Sequence, residues 1–230
     1  MKKTISTIFA FVLLACASIA QQYSVVSGPN VGSNTATSYP APFGNAYYGA
    51  KHQFFISASE LSAAGIPSSA SLSSLGFNVT GFNTSTTTYT NFQATVYTSA
   101  SSNPLASAYV TSPVVAQISV QNVVLSSLGW IQIDFDSPFI WNGTSNLVIQ
   151  TCFYRTPQSS NVSTELINLV SSSTVLTRYY RANLSTCSST SFTATSTTQR
   201  PVVRFGWYPP APTSILPSNP IVCQGSSITL

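Results

Sequence analysis

The chain has 230 residues, of which 5% are charged against about 25% in an average soluble domain, while 43% are hydrophobic and 12% aromatic. Eight Lys and Arg against four Asp and Glu leave a net charge of +4, or +2 once Lys2 and Lys3 depart with a targeting segment. The remaining cations are scattered, which excludes a protein that tracks nucleic-acid phosphates, and the apolar content excludes a disordered chain. With 40 Ser and 27 Thr, the solvated faces are hydroxyl-rich instead of charged.

Residues 1–20 read as a secretory signal peptide: Lys2 and Lys3, an apolar run from Ile8 to Leu14, then the small residues Ser18 and Ala20 before Gln21. A competing reading takes Leu13 to Cys16 as a lipoprotein box, with Cys16 lipidated. The apolar run is shorter than the roughly 20 residues that span a bilayer, and no other stretch approaches that length, so no transmembrane segment is expected.

From Tyr39 to Trp207, short period-2 runs alternate with Ser, Thr, Asn, Gly and Pro clusters, the pattern of an all-β antiparallel sandwich of jelly-roll or Ig-like topology. Strands are expected at residues 53–57, 71–80, 92–99, 114–124, 129–135, 146–154, 175–181 and 201–207. One short helix is expected at 59–64, stopped by Gly65 and acting as a connector. Residues 21–207 therefore form one sandwich domain. Residues 208–220 carry too many prolines for a strand or helix interior and read as a stiff linker, and 221–230 as the truncated start of an Ig-like or PKD-like domain.

Three cysteines lie beyond the signal segment. A Cys152–Cys187 disulfide would close about 35 residues and contribute roughly 3 to 4 kcal/mol. Cys223 then lacks a partner, which we expect in a part of the protein beyond residue 230. Five Asn-x-Ser/Thr sites, at Asn78, Asn83, Asn142, Asn161 and Asn183, are about the number that this composition produces by chance.

The most informative strand is the one over 129–135. Its period places Ile131, Ile133 and Phe135 on one face and Trp130, Gln132, Asp134 and Asp136 on the other. A Trp aligned with Gln and Asp suits a sugar-binding sheet, where the ring stacks on a pyranose and the polar tips take its hydroxyls. The ordinary alternative is a ring packed beneath a loop at the sandwich rim. Tyr97 ends a similar polar face with Asn91, Gln93 and Thr95. Asp134 and Asp136, together with carbonyls near Asn142 and Gly143, are a candidate Ca²⁺ site, against solvated side chains.

The sequence contains no nucleophile elbow, zincin helix or phosphate loop. Its four carboxylates, Glu60, Asp134, Asp136 and Glu165, offer no evident glycosidase pair, since Glu60 and Glu165 read as solvated charges. His52 reads as a hydrogen-bonded structural residue. No enzyme activity and no cofactor are expected in this segment, apart from the candidate structural calcium.

Several phrases are carried together: Tyr39-Pro-Ala-Pro-Phe-Gly with Tyr47-Tyr48, Ser59-Glu-Leu-Ser-Ala-Ala-Gly-Ile, Leu72-Ser-Ser-Leu-Gly-Phe-Asn-Val, Gly129-Trp-Ile-Gln-Ile-Asp-Phe, Ser137-Pro-Phe-Ile-Trp-Asn-Gly-Thr and Arg200-Pro-Val-Val-Arg-Phe. Together they resemble the N-terminal sandwich region of secreted, multidomain surface proteins of Bacteroidota bacteria, and Cys223-Gln-Gly-Ser-Ser-Ile-Thr-Leu resembles the first strand of their Ig-like or PKD-like repeats. The resemblance implies export followed by type IX secretion, with a sorting domain further along the chain. It implies a non-catalytic extracellular module for adhesion, with glycans or other cell-surface proteins as partners. A structural stalk domain and an accessory domain of a carbohydrate-active enzyme are the alternatives.

Overall fold

Alternating side chains let a strand bury one face against a partner sheet, and the computed structural model shows thirteen strands among the described residues. It describes residues 20–35, 39–44, 47–82, 88–154, 162–169, 173–185, 187 and 194–210. Residues 1–19 of the expected signal segment, with Cys16, and Arg155, Asn83, Asn161, most of the expected linker and Cys223 lie outside the described residues.

In chain order the elements are β1 (Gln22–Val26), β2 (Gly32–Ser33), β3 (Gly49–Ile56), α1 (Ala58–Ala63), β4 (Ser71–Phe82), β5 (Thr88–Ser99), β6 (Val114–Val124), β7 (Gly129–Ile140), β8 (Asn146–Tyr154), β9 (Val162–Asn168), β10 (Thr177–Ala182), β11 (Thr195–Thr197), β12 (Gln199–Pro201) and β13 (Val203–Tyr208). Tyr208 closes β13, so the strand reaches one residue into the expected linker.

Four antiparallel pairs nest inside one another: β1 with β13, β3 with β8, β4 with β7 and β5 with β6. A chain paired in this way is one long double strand rolled up, which selects the jelly roll over the Ig-like topology. β7 and β13 pair with the same stretch of β4 and so flank it, giving the sheet body β1-β13-β4-β7; the second sheet runs β11-β10-β3-β8-β5-β6. Strands β9, β12 and β2 continue the first sheet past the end of β13.

The space between the sheets is filled by aromatic rings. Phe43 meets Phe77 edge-on at 5.8 Å and lies 5.7 Å from Phe92, and all three are fully buried. Such pairs add about 0.5–1.5 kcal/mol each beyond the area they bury. His52 belongs to this core. Its ring stacks on Tyr39 and Phe54, its Nε2 accepts from the Ala41 N–H at 3.3 Å, and complete burial lowers its pKa to about 3.

Strand β3 is buried along its whole length, although it carries Lys51, His52 and Gln53 in succession. The connection between β5 and β6 covers its outer side. Gln53 clamps that connection with both ends of its amide, Nε2 donating to the Val110 carbonyl at 2.6 Å and Oε1 accepting from the Val110 N–H at 2.7 Å. Leu105, carried on this connection, is fully buried in a second cluster with Phe55, Tyr97, Val148 and Leu176.

The helix begins one step earlier than expected. Ser57 is the N-cap and Glu60 completes a capping box. Glu60 is no solvated charge: its Oε1 lies 2.7 Å from Nη2 of the fully buried Arg200. Burial by itself raises the Glu60 pKa, but the Arg200 charge and hydrogen bonds from Ser57 and Arg200 outweigh it and hold the carboxyl below its usual range. The Cys152–Cys187 disulfide is present, with Cα atoms 5.4 Å apart across a separation of 35 residues. Among the described residues no helix is long and apolar enough to cross a membrane.

Candidate functional site

The outer face of the β1-β13-β4-β7 sheet carries its polar and aromatic residues in rungs set by register. Tyr23, Gly206, Ser74 and Asp134 form one rung; Val25, Arg204, Gly76 and Gln132 form the next; Asn78 pairs with Trp130 beyond them. The intervening residues Phe205, Leu75 and Phe77 point into the core and are buried, so the rung residues point out.

Two glycines shape this face. A Cβ at Gly76 would meet Gln132 Oε1, and one at Gly206 would meet Ser74 Oγ, Gln21 Nε2 and the Tyr23 ring. Without those carbons the neighbouring side chains lie flat across the sheet. The Arg204 guanidinium consequently sits between two rings, 4.7 Å from the Trp130 centroid and 5.0 Å from that of Tyr23. Contacts of this kind contribute about 0.5–1 kcal/mol at exposed sites.

Arg204 is held in place as well as sandwiched. Its Nε donates to Gln132 Oε1 at 2.9 Å, and Gln132 Nε2 in turn donates to Ser74 Oγ at 2.8 Å. Tyr23 is fixed from the other side, its hydroxyl donating to Gln21 Oε1 at 2.9 Å. Partial burial lowers the Arg204 pKa, with a smaller opposing effect from Tyr23, but an arginine so shifted stays charged. The face therefore presents a fixed positive charge flanked by aromatic surface.

Gln132 also lines a cleft of about 400 Å³ between β6 and β7, with Gln121, Asn122 and Asp134 as its other polar side chains. Amide and carboxylate groups thus stand beside the Tyr23–Arg204–Trp130 stack.

The sequence-expected residues separate into two groups. Trp130, Gln132 and Asp134 do share one face, but Trp130 is half-buried and one side of its ring is taken by Arg204. Tyr97 does not join them. It stands on β5 in the opposite sheet, 7% exposed beneath the β5–β6 connection, and burial raises its pKa.

The expected calcium grouping does not assemble either. Both oxygens of Asp136 are engaged by Ser119 of β6, the backbone N–H donating at 3.0 Å and the hydroxyl at 2.6 Å, and these bonds lower the Asp136 pKa. Asn142 accepts from the backbone of Thr144 and Ser145, six residues from Asp136, about 20 Å along an extended strand. Among the described residues no group of three or more His, Cys, Asp or Glu is placed to hold a metal ion. Asp136 instead ties the free edge of β7 to that of β6.

Other clusters are occupied internally. Glu165 accepts from Asn78 Nδ2 at 2.7 Å and is not simply solvated. A second cleft, of about 420 Å³ beside α1, is lined by Phe55, Asn146, Leu176 and Glu60, whose carboxylate is committed to Arg200 and Ser57. On the outer face of the second sheet, Lys51 and Arg178 flank the Tyr109 ring, and burial pushes its phenol up to about 12 despite Arg178. Arg178 also donates to the Leu105 carbonyl, so that cluster fastens the β5–β6 connection.

Tyr23 and Arg204 were not among the expected site residues. β1 has no run long enough to signal a strand, and the ring-to-guanidinium contact depends on the pairing β1-β13-β4-β7, which links residues about 180 positions apart. A hint was available in the alternation of Val203, Arg204 and Phe205, which places a charge opposite two core residues. No known protein family, curated protein or solved structure matches the chain.

Proposed function

We propose that this protein is a non-catalytic, secreted cell-surface module for adhesion that binds glycans on the outer face of the β1-β13-β4-β7 sheet. The supporting observation is the Tyr23–Arg204–Trp130 stack beside the cleft of Gln121, Asn122, Gln132 and Asp134. Sugars present an apolar ring face and a rim of hydroxyls, and protein sites meet them with aromatic surface next to fixed amides and carboxylates. Tyr23, 54% exposed, supplies the accessible ring, and Trp130 backs Arg204. The disulfide is compatible with the extracellular location of this reading, and the hydroxyl-rich surface suits a module held in a hydrated matrix.

The test is titration with glycans that bind in a broad soluble panel. Tyr23→Ala and Trp130→Ala are expected to keep the cooperative melt of the native protein and to weaken binding tenfold or more. Unchanged binding by both folded variants would remove this face from the proposal. A structural stalk is the second reading, favoured by the 5% charged composition and the Pro-rich segment after β13, and it calls for no ligand at all.

A further inference from the structure

We propose that the glycan bound on this face is an acidic one, and that Arg204 receives the carboxylate of a uronate-type sugar. The inference rests on the glycan-binding reading and specifies its ligand class.

Arg204 differs from Arg200 and Arg178. Arg200 is buried against Glu60, and Arg178 is tied to the Leu105 carbonyl. Arg204 uses only Nε, on Gln132, and its Nη1 and Nη2 have no hydrogen-bond partner among the described residues. Neither nitrogen is fully buried, so both keep some contact with solvent. No carboxylate pairs with Arg204 among the described residues, and Asp134, one rung away, forms no ion pair with it.

What remains is a planar two-pronged donor, immobilised between two rings, with its charge unneutralised. The Nη1/Nη2 fork matches the two oxygens of a carboxylate, giving two parallel charge-assisted hydrogen bonds. Immobilisation matters because the entropy of ordering a long side chain is then already spent before the ligand arrives. Tyr23 lies on one side of the guanidinium, where the sugar ring bearing the carboxylate would rest. The amides of Gln121 and Asn122 in the adjacent cleft are placed for the hydroxyls of a neighbouring residue of the polymer. A carboxylate is favoured over a sulfate because three oxygens arranged on a tetrahedron find only a flat, two-donor partner here, with no backbone nest or second cation among the described residues of the face.

The experiment compares polygalacturonate with its methyl ester, the same backbone without the charge, on the purified native protein by titration calorimetry. Dextran sulfate and a neutral glycan panel run beside them. Binding of the free acid that falls at least tenfold on esterification, and falls by about tenfold to hundredfold in both Arg204→Gln and Arg204→Lys, is the expected result. Arg204→Lys keeps the charge and removes the fork, so it separates geometry from simple attraction. The esterification arm needs no variant and stands even where a substitution unfolds the protein. Equal binding of acid and ester, or binding confined to neutral glycans, overturns the acidic ligand while leaving the glycan-binding reading in place. Dextran sulfate bound as tightly as polygalacturonate and indifferent to Arg204 overturns it as well. No binding to any sugar by folded protein overturns both.

Discussion

Acid should destabilise this protein through His52 in a way that can be isolated. The ring is fully buried, its pKa lowered from 6.5 to about 3, and it forms no ion pair with a carboxylate among the described residues. Because the folded value is depressed, the unfolded chain takes up the proton first as pH falls below 6.5. The neutral ring's contribution is therefore fully present above that pH and declines by up to about 1.4 kcal/mol per unit until the folded group itself protonates near 3. Over the whole window the loss sums to about 5 kcal/mol, of which about 3 kcal/mol falls between pH 7 and pH 4. His52→Gln keeps an acceptor within reach of the Ala41 N–H and removes the titration. Urea unfolding followed by tryptophan fluorescence at pH 7, 6, 5 and 4 gives the comparison. Packing differences shift the variant's curve by a constant, whereas the depressed titration changes its slope. Glu60 and Asp136, whose carboxyls are also held below their usual range, act equally in both proteins and cancel. We expect wild type to lose about 3 kcal/mol more than His52→Gln between pH 7 and pH 4. Parallel stability curves for the two proteins would refute the reasoning.

Glu60→Gln should cost about 3 kcal/mol at pH 7 in urea unfolding, because it leaves the Arg200 charge buried without a counter-ion; the gap to wild type should narrow below about pH 4.5, where Glu60 protonates in the unfolded chain. A cost below about 0.5 kcal/mol would place Arg200 in a more solvated setting than its burial indicates. Gly76→Ala should leave the melt within a few degrees yet weaken glycan binding, since the new methyl displaces the flexible end of Gln132 from Arg204. Unchanged affinity would show that Gln132 does not position the guanidinium. Millimolar Ca²⁺ should leave the melting temperature unaltered, because Ser119 already satisfies both Asp136 oxygens. A rise above about 4 °C, corresponding to roughly 1 kcal/mol or more, would restore the calcium reading.

Much of the strand pattern was legible in the sequence, and the reasons it failed elsewhere are physical. Strands β6 and β8 have the expected bounds because turn-forming residues bracket both of them. β3 starts four residues before its expected position, since Lys51 and His52 look like a polar break but are buried, one under the β5–β6 connection and one in the aromatic core. β1, β2, β9, β11 and β12 were not expected at all. Four of them have five residues or fewer, and their pairing is nonlocal, so no period-2 run announces them. β9 alternates Thr164 and Leu166 inward with Glu165 outward, a pattern hidden beside a run of Ser and Thr.

The candidate face was half legible for the same reason. Periodicity within β7 aligned Trp130, Gln132 and Asp134 correctly, because those three residues share one strand. It marked a similar face ending at Tyr97 without joining the two, and Tyr97 lies on the other sheet. What completes the face, Arg204 and Tyr23, arrives through cross-strand register, which a single strand's period does not encode. Asp134 and Asp136 likewise share a strand face without sharing a role, because β6 passes close enough for Ser119 to claim Asp136.

The central claim is that this surface binds sugar, and a glycan array probed with the folded wild-type protein, with Trp130→Ala alongside, tests it most directly. Reproducible binding to one sugar class, lost in a Trp130→Ala protein that melts like wild type, is the expected result. A blank array from protein with an intact cooperative melt would contradict the claim and favour the stalk reading.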